Sequence, residues 1–317
     1  MPCFKPRHVW REPELNPVNG KYIIVWNPAQ SSRLVPITLP CQQCSGCRLE
    51  RSRQWAIRCM HEAKLHLQNT FITLTYDDEH LPDLSSLEHS HFQEFMKCLR
   101  ERLRYAQKKQ GLTKAQRKAN GVRYYMCGEY GETFGRPHFH ACLFNYDFPD
   151  KKPWKKIKGN QLYTSSLLQS LWPHGFSSIG SLTFESAAYV ARYIMKKRTG
   201  ASAAEHYEIL DAYGEYHQRK PEYTKMSLKP GIAKNWLLKN LTDVYPSDSV
   251  ILRGNEVKPP KYYDKIFEIL YPSDMEEIKF NRLTSAKKYA DNNTPERLAV
   301  RELVHSKKLE QLKRTIK

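Results

Sequence analysis

Two runs decide the fold: Val122-Arg-Tyr-Tyr-Met-Cys-Gly-Glu-Tyr130 and Pro137-His-Phe-His-Ala-Cys-Leu-Phe-Asn145. Both are rich in aromatic and apolar residues, and the turn between them contains Gly131 and Gly135. They predict two strands joined as a hairpin. Alternate side chains on a strand share a face, so His138 and His140 point one way and Phe139 is buried behind them. Two imidazoles about 7 Å apart along a strand can ligate one divalent metal ion. Standing alone, such a pair is more often two unrelated surface histidines. Glu129 shifts the balance, because the hairpin brings it from the opposing strand close to the pair. Glu132 is a rival that lies in the turn itself. Two histidines and one carboxylate leave open positions on a metal, which can then polarise a phosphoryl oxygen and orient a scissile phosphate. Mixed nitrogen and oxygen ligands suit Mg²⁺ or Mn²⁺ and also accommodate Zn²⁺.

Outward from the hairpin, Phe71-Ile-Thr-Leu-Thr-Tyr76 reads as a buried strand ending at Asp77-Asp78. Before it, Leu49, Ala56, Cys59, Met60, Ala63 and Leu67 recur at helical spacing, with Arg51, Arg58 and Lys64 on the other face. After it, Ser90 and Gln93 have capping-box spacing and open a helix with Phe92, Phe95, Met96, Leu99 and Leu103 on its core face. Residues 107–121 are basic and polar and read as an exposed linker. Past the hairpin come a short helix at Ser165–Leu171, a strand at Phe176–Leu182 and a helix from Ser186 to Arg198. This order predicts an α+β domain, an antiparallel sheet backed by helices. Residues 1–47 look loop-rich, with one apolar stretch at Tyr22–Trp26. Beyond Asn240 the chain becomes basic and mostly helical. The expected division is a segment 1–47, a catalytic domain 48–240 and an extension 241–317.

The helix from Ser186 carries the second chemical signal. Tyr189, Tyr193, Lys196 and Lys197 cluster on one face, while Ala187, Val190, Ala191 and Ile194 cluster opposite. The tyrosines could be ordinary packing residues, but an apolar face exists without them. A phenol with a pKa near 10 is a poor nucleophile at neutral pH. A metal-held phosphate and a nearby ammonium remedy that, by activating the electrophile and stabilising the phenolate. Tyrosines beside an H-x-H strand make a kit for phosphodiester transesterification. There is no Gly-rich phosphate loop.

The chain has 317 residues, and 51 Lys and Arg against 33 Asp and Glu give a formal charge of +18. That balance, with 19 tyrosines able to stack on bases, points to single-stranded nucleic acid. No run approaches the ~20 apolar residues of a membrane span, and the N-terminus lacks a signal-peptide core. An intracellular protein with reduced cysteines is the expectation. Cys41-x-x-Cys44-x-x-Cys47 then has metal spacing, and Cys3 is the candidate fourth ligand of a structural zinc site. The plainer alternative is three small buried residues before a helix.

The Phe71–Tyr76 strand, Arg136-Pro-His-Phe-His140 and Tyr189-x-x-x-Tyr193-x-x-Lys196 together resemble the three motifs of HUH endonucleases. Cys41-Gln-Gln-Cys-Ser-Gly-Cys-Arg-Leu-Glu-Arg-Ser52, Cys127-Gly-Glu-Tyr-Gly131 and Glu185-Ser-Ala-Ala-Tyr-Val-Ala-Arg-Tyr193 are similar to the replication initiators of gokushoviruses, single-stranded DNA phages of the microvirus family. The resemblance covers roughly residues 1–240. It implies a sheet of about five antiparallel strands with helices on one side and His138 and His140 on a central strand. It also implies rolling-circle initiation, in which Tyr189 and Tyr193 act in turn, Lys196 assists and a 5′ phosphotyrosine forms. Glu129 as third ligand transfers less directly, because that ligand varies in the superfamily. The implied partners are single-stranded origin DNA and the host's replicative helicase and polymerase, in the bacterial cytoplasm. The competing reading is a non-catalytic, zinc-containing DNA-binding protein. A third is a metal-dependent hydrolase using water, which would leave no covalent adduct.

Overall fold

Along the chain run β1 (Arg7–Asn16), β2 (Lys21–Val25), β3 (Val35–Leu39), α1 (Ser45–Ala63), β4 (Asn69–Tyr76), α2 (His89–Lys109) and α3 (Lys114–Ala119). The hairpin β5 (Arg123–Tyr130) and β6 (Pro137–Phe144) follows, then β7 (Lys152–Ile157), β8 (Asn160–Thr164), α4 (Ser166–Leu171), β9 (Gly175–Ser181) and α5 (Phe184–Arg192). Next are α6 (Ser202–Tyr207), β10 (Glu208–Leu210), β11 (Tyr216–Gln218), β12 (Tyr223–Met226), α7 (Lys234–Lys239) and α8 (Leu241–Val244). The chain ends with β13 (Val250–Leu252), β14 (Asn255–Val257), α9 (Lys261–Leu270), α10 (Pro272–Lys287) and α11 (Pro295–Gln311). This computed structural model describes residues 3–18, 20–27, 33–131, 134–157, 159–192, 202–211 and 213–311.

The chain divides into two compact units, a larger one at residues 52–280 and a smaller one joining residues up to Arg51 to a stretch beginning at Asn281. The three-segment division expected from composition differs from this. Tyr245, Val250, Tyr263, Phe267, Met275 and Ile278, all beyond Asn240, belong to the larger unit's core.

Among the described residues the larger unit holds a seven-stranded sheet, ordered β12-β5-β6-β4-β9-β8-β7. Neighbouring strands in it pair antiparallel. The α+β class is as expected, but the sheet exceeds five strands. The Lys-rich β7–β8 hairpin adds one edge, and the short β12 adds the other by pairing with β5. Helices cover both faces of the sheet, not one. Phe92, Phe95, Met96 and Leu99 of α2, with Leu168 of α4, pack on Ile72, Leu74, Met126 and Phe139. On the other face Ala56, Ile57 and Cys59 of α1, Ala187, Val190 and Ala191 of α5, and Tyr263 and Phe267 of α9 join Tyr125, Cys142 and Phe144. Strand β6 is therefore buried along nearly its whole length.

Several local expectations give way to tertiary structure. Glu88, not Ser90, caps α2, its carboxylate accepting from Ser90 N. The expected linker is the end of α2 followed by α3, which opens on a capping box of Thr113 and Gln116. Helix α1 stops at Ala63, so Leu67 is fully exposed. Arg58, expected on a solvent face, is buried. Its guanidinium lies between the rings of Trp55 and Tyr262, 3.9 and 3.8 Å from their centroids, and donates to the Ile232 carbonyl. Cation–π contact and hydrogen bonding together offset the cost of burying that charge.

The smaller unit is not loop-rich at its N-terminus. β1 is the centre of a three-stranded antiparallel sheet, ordered β2-β1-β3. Its described buried apolar side chains are only Cys3, Val9, Cys44 and Leu298. No helix among the described residues is long and apolar enough to cross a membrane.

Candidate metal centre and tyrosine helix

Register places the carboxylate. In the β5–β6 ladder Glu129 stands opposite His138, and Cys127 opposite His140. Gly135 takes a left-handed φ of +60° in the connecting turn, which a side chain would strain. Arg136 secures the neighbouring strand end, donating to the Tyr76 carbonyl at 3.1 Å and pairing with Asp78. Phe139 points to the opposite face, where it is wholly buried against Tyr76, Phe92 and Trp172.

The three polar groups converge. Glu129 Oε1 lies 2.8 Å from His138 Nε2 and 3.0 Å from His140 Nε2. The carboxylate is 1% exposed and His140 7% exposed, so each needs a close partner to offset desolvation. Burial pushes the Glu129 carboxyl up, but the hydrogen bonds and charge of His138 and His140 outweigh it and hold it at about 2.

The outer nitrogens fix the tautomers. A backbone carbonyl only accepts, so His138 Nδ1 carries a proton and donates to the Arg136 carbonyl at 3.1 Å. His140 Nδ1 lies 2.9 Å from Thr73 Oγ1, and donating there places its proton likewise. In the charged rings each Nε2–H donates to Glu129; once those protons leave, both Nε2 lone pairs face the same point as the carboxylate. Three electron-rich atoms, all within 4.8 Å of one another, form a donor set that a divalent cation fits.

Two aromatic rings hold His140 in place. Phe71 stacks on it at 5.6 Å and 13°, and Tyr189 meets it edge-on at 5.0 Å and 80°. Helix α5 presents Tyr189 because its other residues anchor it. Ala187, Val190 and Ala191 are buried, Ser52 Oγ donates to the Ala188 carbonyl, and Thr183 and Ser186 exchange side-chain-to-backbone hydrogen bonds at the helix start. The structure thus brings together Glu129, His138, His140 and Tyr189. Tyr193, Lys196 and Lys197, and the rival Glu132, lie outside the described residues.

Thr73 and Phe71 are the residues that sequence reasoning missed. Both sit in the strand identified at residues 71–76, but their neighbours depend on the β4–β6 register, in which Thr73 stands opposite His140. Pairing the Phe71–Tyr76 run with the H-x-H strand would have found Thr73.

The second cluster lies in the smaller unit. The sulfurs of Cys3, Cys41, Cys44 and Cys47 also lie within 4.8 Å of one another, as thiols. Burial pushes the Cys41 thiol up, yet the backbone N–H groups of Cys44 and Gln43 prevail and bring it to about 7.

Residues 69–198 match the family model of the replication-associated protein ORF2/G2P, a span containing Glu129, His138, His140 and Tyr189. The chain is 34% identical over 263 residues to the replication-associated protein VP4 of Bdellovibrio phage phiMH2K, covering 82% of this chain and 77% of that one. It is 32% identical over 304 residues to the replication-associated protein ORF2 of Spiroplasma virus 4, covering 91% and 88%. The replication-associated protein ORF4 of Chlamydia phage 1 is 26% identical over 243 residues, 75% of this chain and 55% of its own length. No solved structure matches. Identity of this extent over most of both chains makes the chain a member of the family of phage replication-associated proteins.

Proposed function

We propose that the protein initiates rolling-circle replication by nicking one DNA strand at the viral origin and later rejoining it, through a 5′-phosphotyrosine intermediate. The observation that carries this reading is the convergence of Glu129, His138 and His140 on one point with the Tyr189 ring against His140. A protein that only binds DNA has no use for a carboxylate buried between two histidines.

In the nicking step the phenolic oxygen of Tyr189 or Tyr193 attacks the scissile phosphorus. The phenol loses its proton, a P–O(Tyr) bond forms, and the P–O3′ bond breaks. The departing 3′ oxygen takes up a proton, so no net proton is consumed. Joining is the reverse, with a 3′ hydroxyl attacking the phosphotyrosine. The bond energy is conserved, and no nucleotide cofactor is required. Tyr193 makes the first attack, and Lys196 and Lys197 stabilise the developing charge on phenolate and phosphate. Glu129, His138 and His140 would hold Mg²⁺ or Mn²⁺, which supplies charge stabilisation and orientation to the scissile phosphate. Thr73 and the Arg136 carbonyl keep both imidazoles turned so that Nε2 faces the site.

The sheet edge supplies a platform for single-stranded DNA. Trp154 is exposed on β7 among Lys152, Lys155 and Lys156, with the Lys155 ammonium 3.9 Å from its ring. Such aromatic and basic pairing suits base stacking and backbone contact. Work at the origin brings the protein to host helicase and polymerase in the bacterial cytoplasm.

The test is a split between cleavage and binding. His138→Ala and His140→Ala should abolish nicking of a single-stranded origin oligonucleotide in Mn²⁺ while leaving its binding largely intact. Undiminished cleavage by both variants, or in excess chelator, removes the triad from the mechanism.

A further inference from the structure

We propose that Cys3, Cys41, Cys44 and Cys47 bind one structural Zn²⁺ ion, distinct from the catalytic metal, which supplies the core that the smaller unit otherwise lacks.

Geometry comes first. Four thiolates at Zn–S distances of about 2.3 Å in a tetrahedron stand about 3.8 Å apart. The four sulfurs already lie within 4.8 Å of one another, and none is in a disulfide. Closing on an ion needs small side-chain adjustments and no backbone rearrangement.

Local hydrogen bonding is the second observation. Three backbone N–H groups point at these sulfurs: Cys41 N at Cys3 Sγ (3.2 Å), Cys44 N at Cys41 Sγ (3.3 Å) and Phe4 N at Cys44 Sγ (3.4 Å). A neutral thiol is a weak acceptor. Backbone donors aimed at sulfur are the outer hydrogen bonds that orient metal-binding ligands. Cys41, Cys44 and Cys47 sit at three-residue spacing, and the turn before α1 folds them onto one point. Gln42 takes a left-handed φ of +63° inside that turn.

The third observation is what the smaller unit lacks. Among its described residues only Val9 and Leu298 join Cys3 and Cys44 as buried apolar side chains. Leu15, Tyr22, Ile23, Trp26, Leu303 and Val304 stay exposed. So small a core cannot offset the conformational entropy of three strands and a helix. Cys3 precedes β1 and the other three follow β3, so the cluster closes the open end of the sheet beside the Arg7–Leu39 pair. Closing a loop of that length is where a cross-link stabilises most. The same segments hold α11: Phe4 meets the His305 ring at 5.1 Å, Ser45 Oγ lies 3.1 Å from His305 Nδ1, and Lys5 pairs with Glu302 at 3.5 Å.

Zinc is the expected metal, because all four ligands are soft thiolates and four of them close a tetrahedral site. The experiment uses the full chain. After dialysis against EDTA, elemental analysis should find about one zinc ion per chain, released by a mercurial in step with modification of the cluster thiols. The His138→Ala/His140→Ala double variant should retain that zinc, and Cys44→Ser should lose it. If Cys44→Ser does not fold, Co²⁺ exchanged into the wild-type chain gives the second readout, the intense thiolate-to-cobalt absorption of a tetrahedral site. Folded wild-type protein with less than about a tenth of an equivalent of zinc and no cobalt–thiolate bands would overturn the proposal. Iron in place of zinc, zinc lost with the two histidines, or a disulfide among the four cysteines would do the same.

Discussion

The two candidate ligand clusters stand in opposite relations to their surroundings. Glu129, His138 and His140 sit on interior strands of a seven-stranded sheet with packed side chains on both faces. Register alone brings them together, and the strands would pair without any metal. The four cysteines hang from the ends of a three-stranded sheet with almost nothing else buried. In the larger unit the fold builds the site. In the smaller one, on the zinc proposal, the site builds the fold. Ligand loss should therefore remove chemistry from one and structure from the other.

The largest effect tests where the larger unit's core ends. A chain stopped at Asn240 loses Tyr245, Val250, Tyr263, Phe267, Met275 and Ile278 from one core cluster. Each large side chain there is worth about 2–5 kcal/mol, and a domain has only about 5–15 kcal/mol in all. The truncated chain should show no cooperative thermal transition. A folded, nicking-competent truncation would mean that the C-terminal residues only decorate the catalytic core.

Next in size is the loss of a triad ligand. Each histidine-to-alanine variant should lower cleavage about 10³-fold or more, consistent with losing several kcal/mol of charge stabilisation. Circular dichroism and the melting temperature should stay near those of wild type. A mercurial should do the reverse, melting the smaller unit. If the histidine variants unfold, the asymmetry between the clusters fails.

Thr73→Val leaves the triad in place and removes the acceptor that orients His140. The Mn²⁺ concentration for half-maximal cleavage should rise about 10–100-fold, with the rate restored at saturating metal. A lowered rate at saturation would show that Thr73 acts on the reaction, not on the ligand. At the sheet edge, Trp154→Ala should weaken single-strand binding by about 1–3 kcal/mol and spare cleavage at saturating DNA.

The parts that could be read from sequence are those governed by period. Alternation in Pro137–Asn145 separated Phe139 from the histidines, and helical spacing separated Ala187, Val190 and Ala191 from Tyr189. What could not be read depends on pairing or on charge in unexpected places. β1, with charged Arg7, Arg11, Glu12 and Glu14, hides its role as a sheet centre. β7, with three lysines and Pro153, looks like a loop because an edge strand tolerates both. Tyr263 and Phe267 of α9 form a buried i, i+4 stripe inside a stretch whose overall charge suggested a solvated tail. Glu129 could be placed from the hairpin alone, whereas Thr73 needed the neighbouring strand.

A separate effect concerns pH and the larger unit's core. His61 is buried against the Trp236 ring, 2.8 Å from the Tyr263 hydroxyl, and burial lowers its pKa to about 3. The unfolded chain takes up a proton near pH 6.5 that the folded chain refuses. Stability should therefore fall as pH drops below 6.5, by up to about 1.4 kcal/mol per pH unit until about 3. His61→Phe should flatten the dependence of melting temperature on pH between 7 and 5. An unchanged slope would mean that other groups set it.

The proposed mechanism requires a covalent link between tyrosine and DNA, and one labelling experiment detects it. An origin oligonucleotide is labelled at its 3′ end or its 5′ end, incubated with the protein and Mn²⁺, denatured and resolved, and the adduct is digested for mass spectrometry. The 3′-end label should migrate with the protein, on a peptide carrying a 5′-phosphodeoxynucleotide at Tyr193 or Tyr189, while the 5′-end label leaves as a free fragment ending in a 3′ hydroxyl. The Tyr189→Phe/Tyr193→Phe double variant should form no adduct. Cleavage without any protein-bound label, or an adduct that persists in the double variant, would contradict the account.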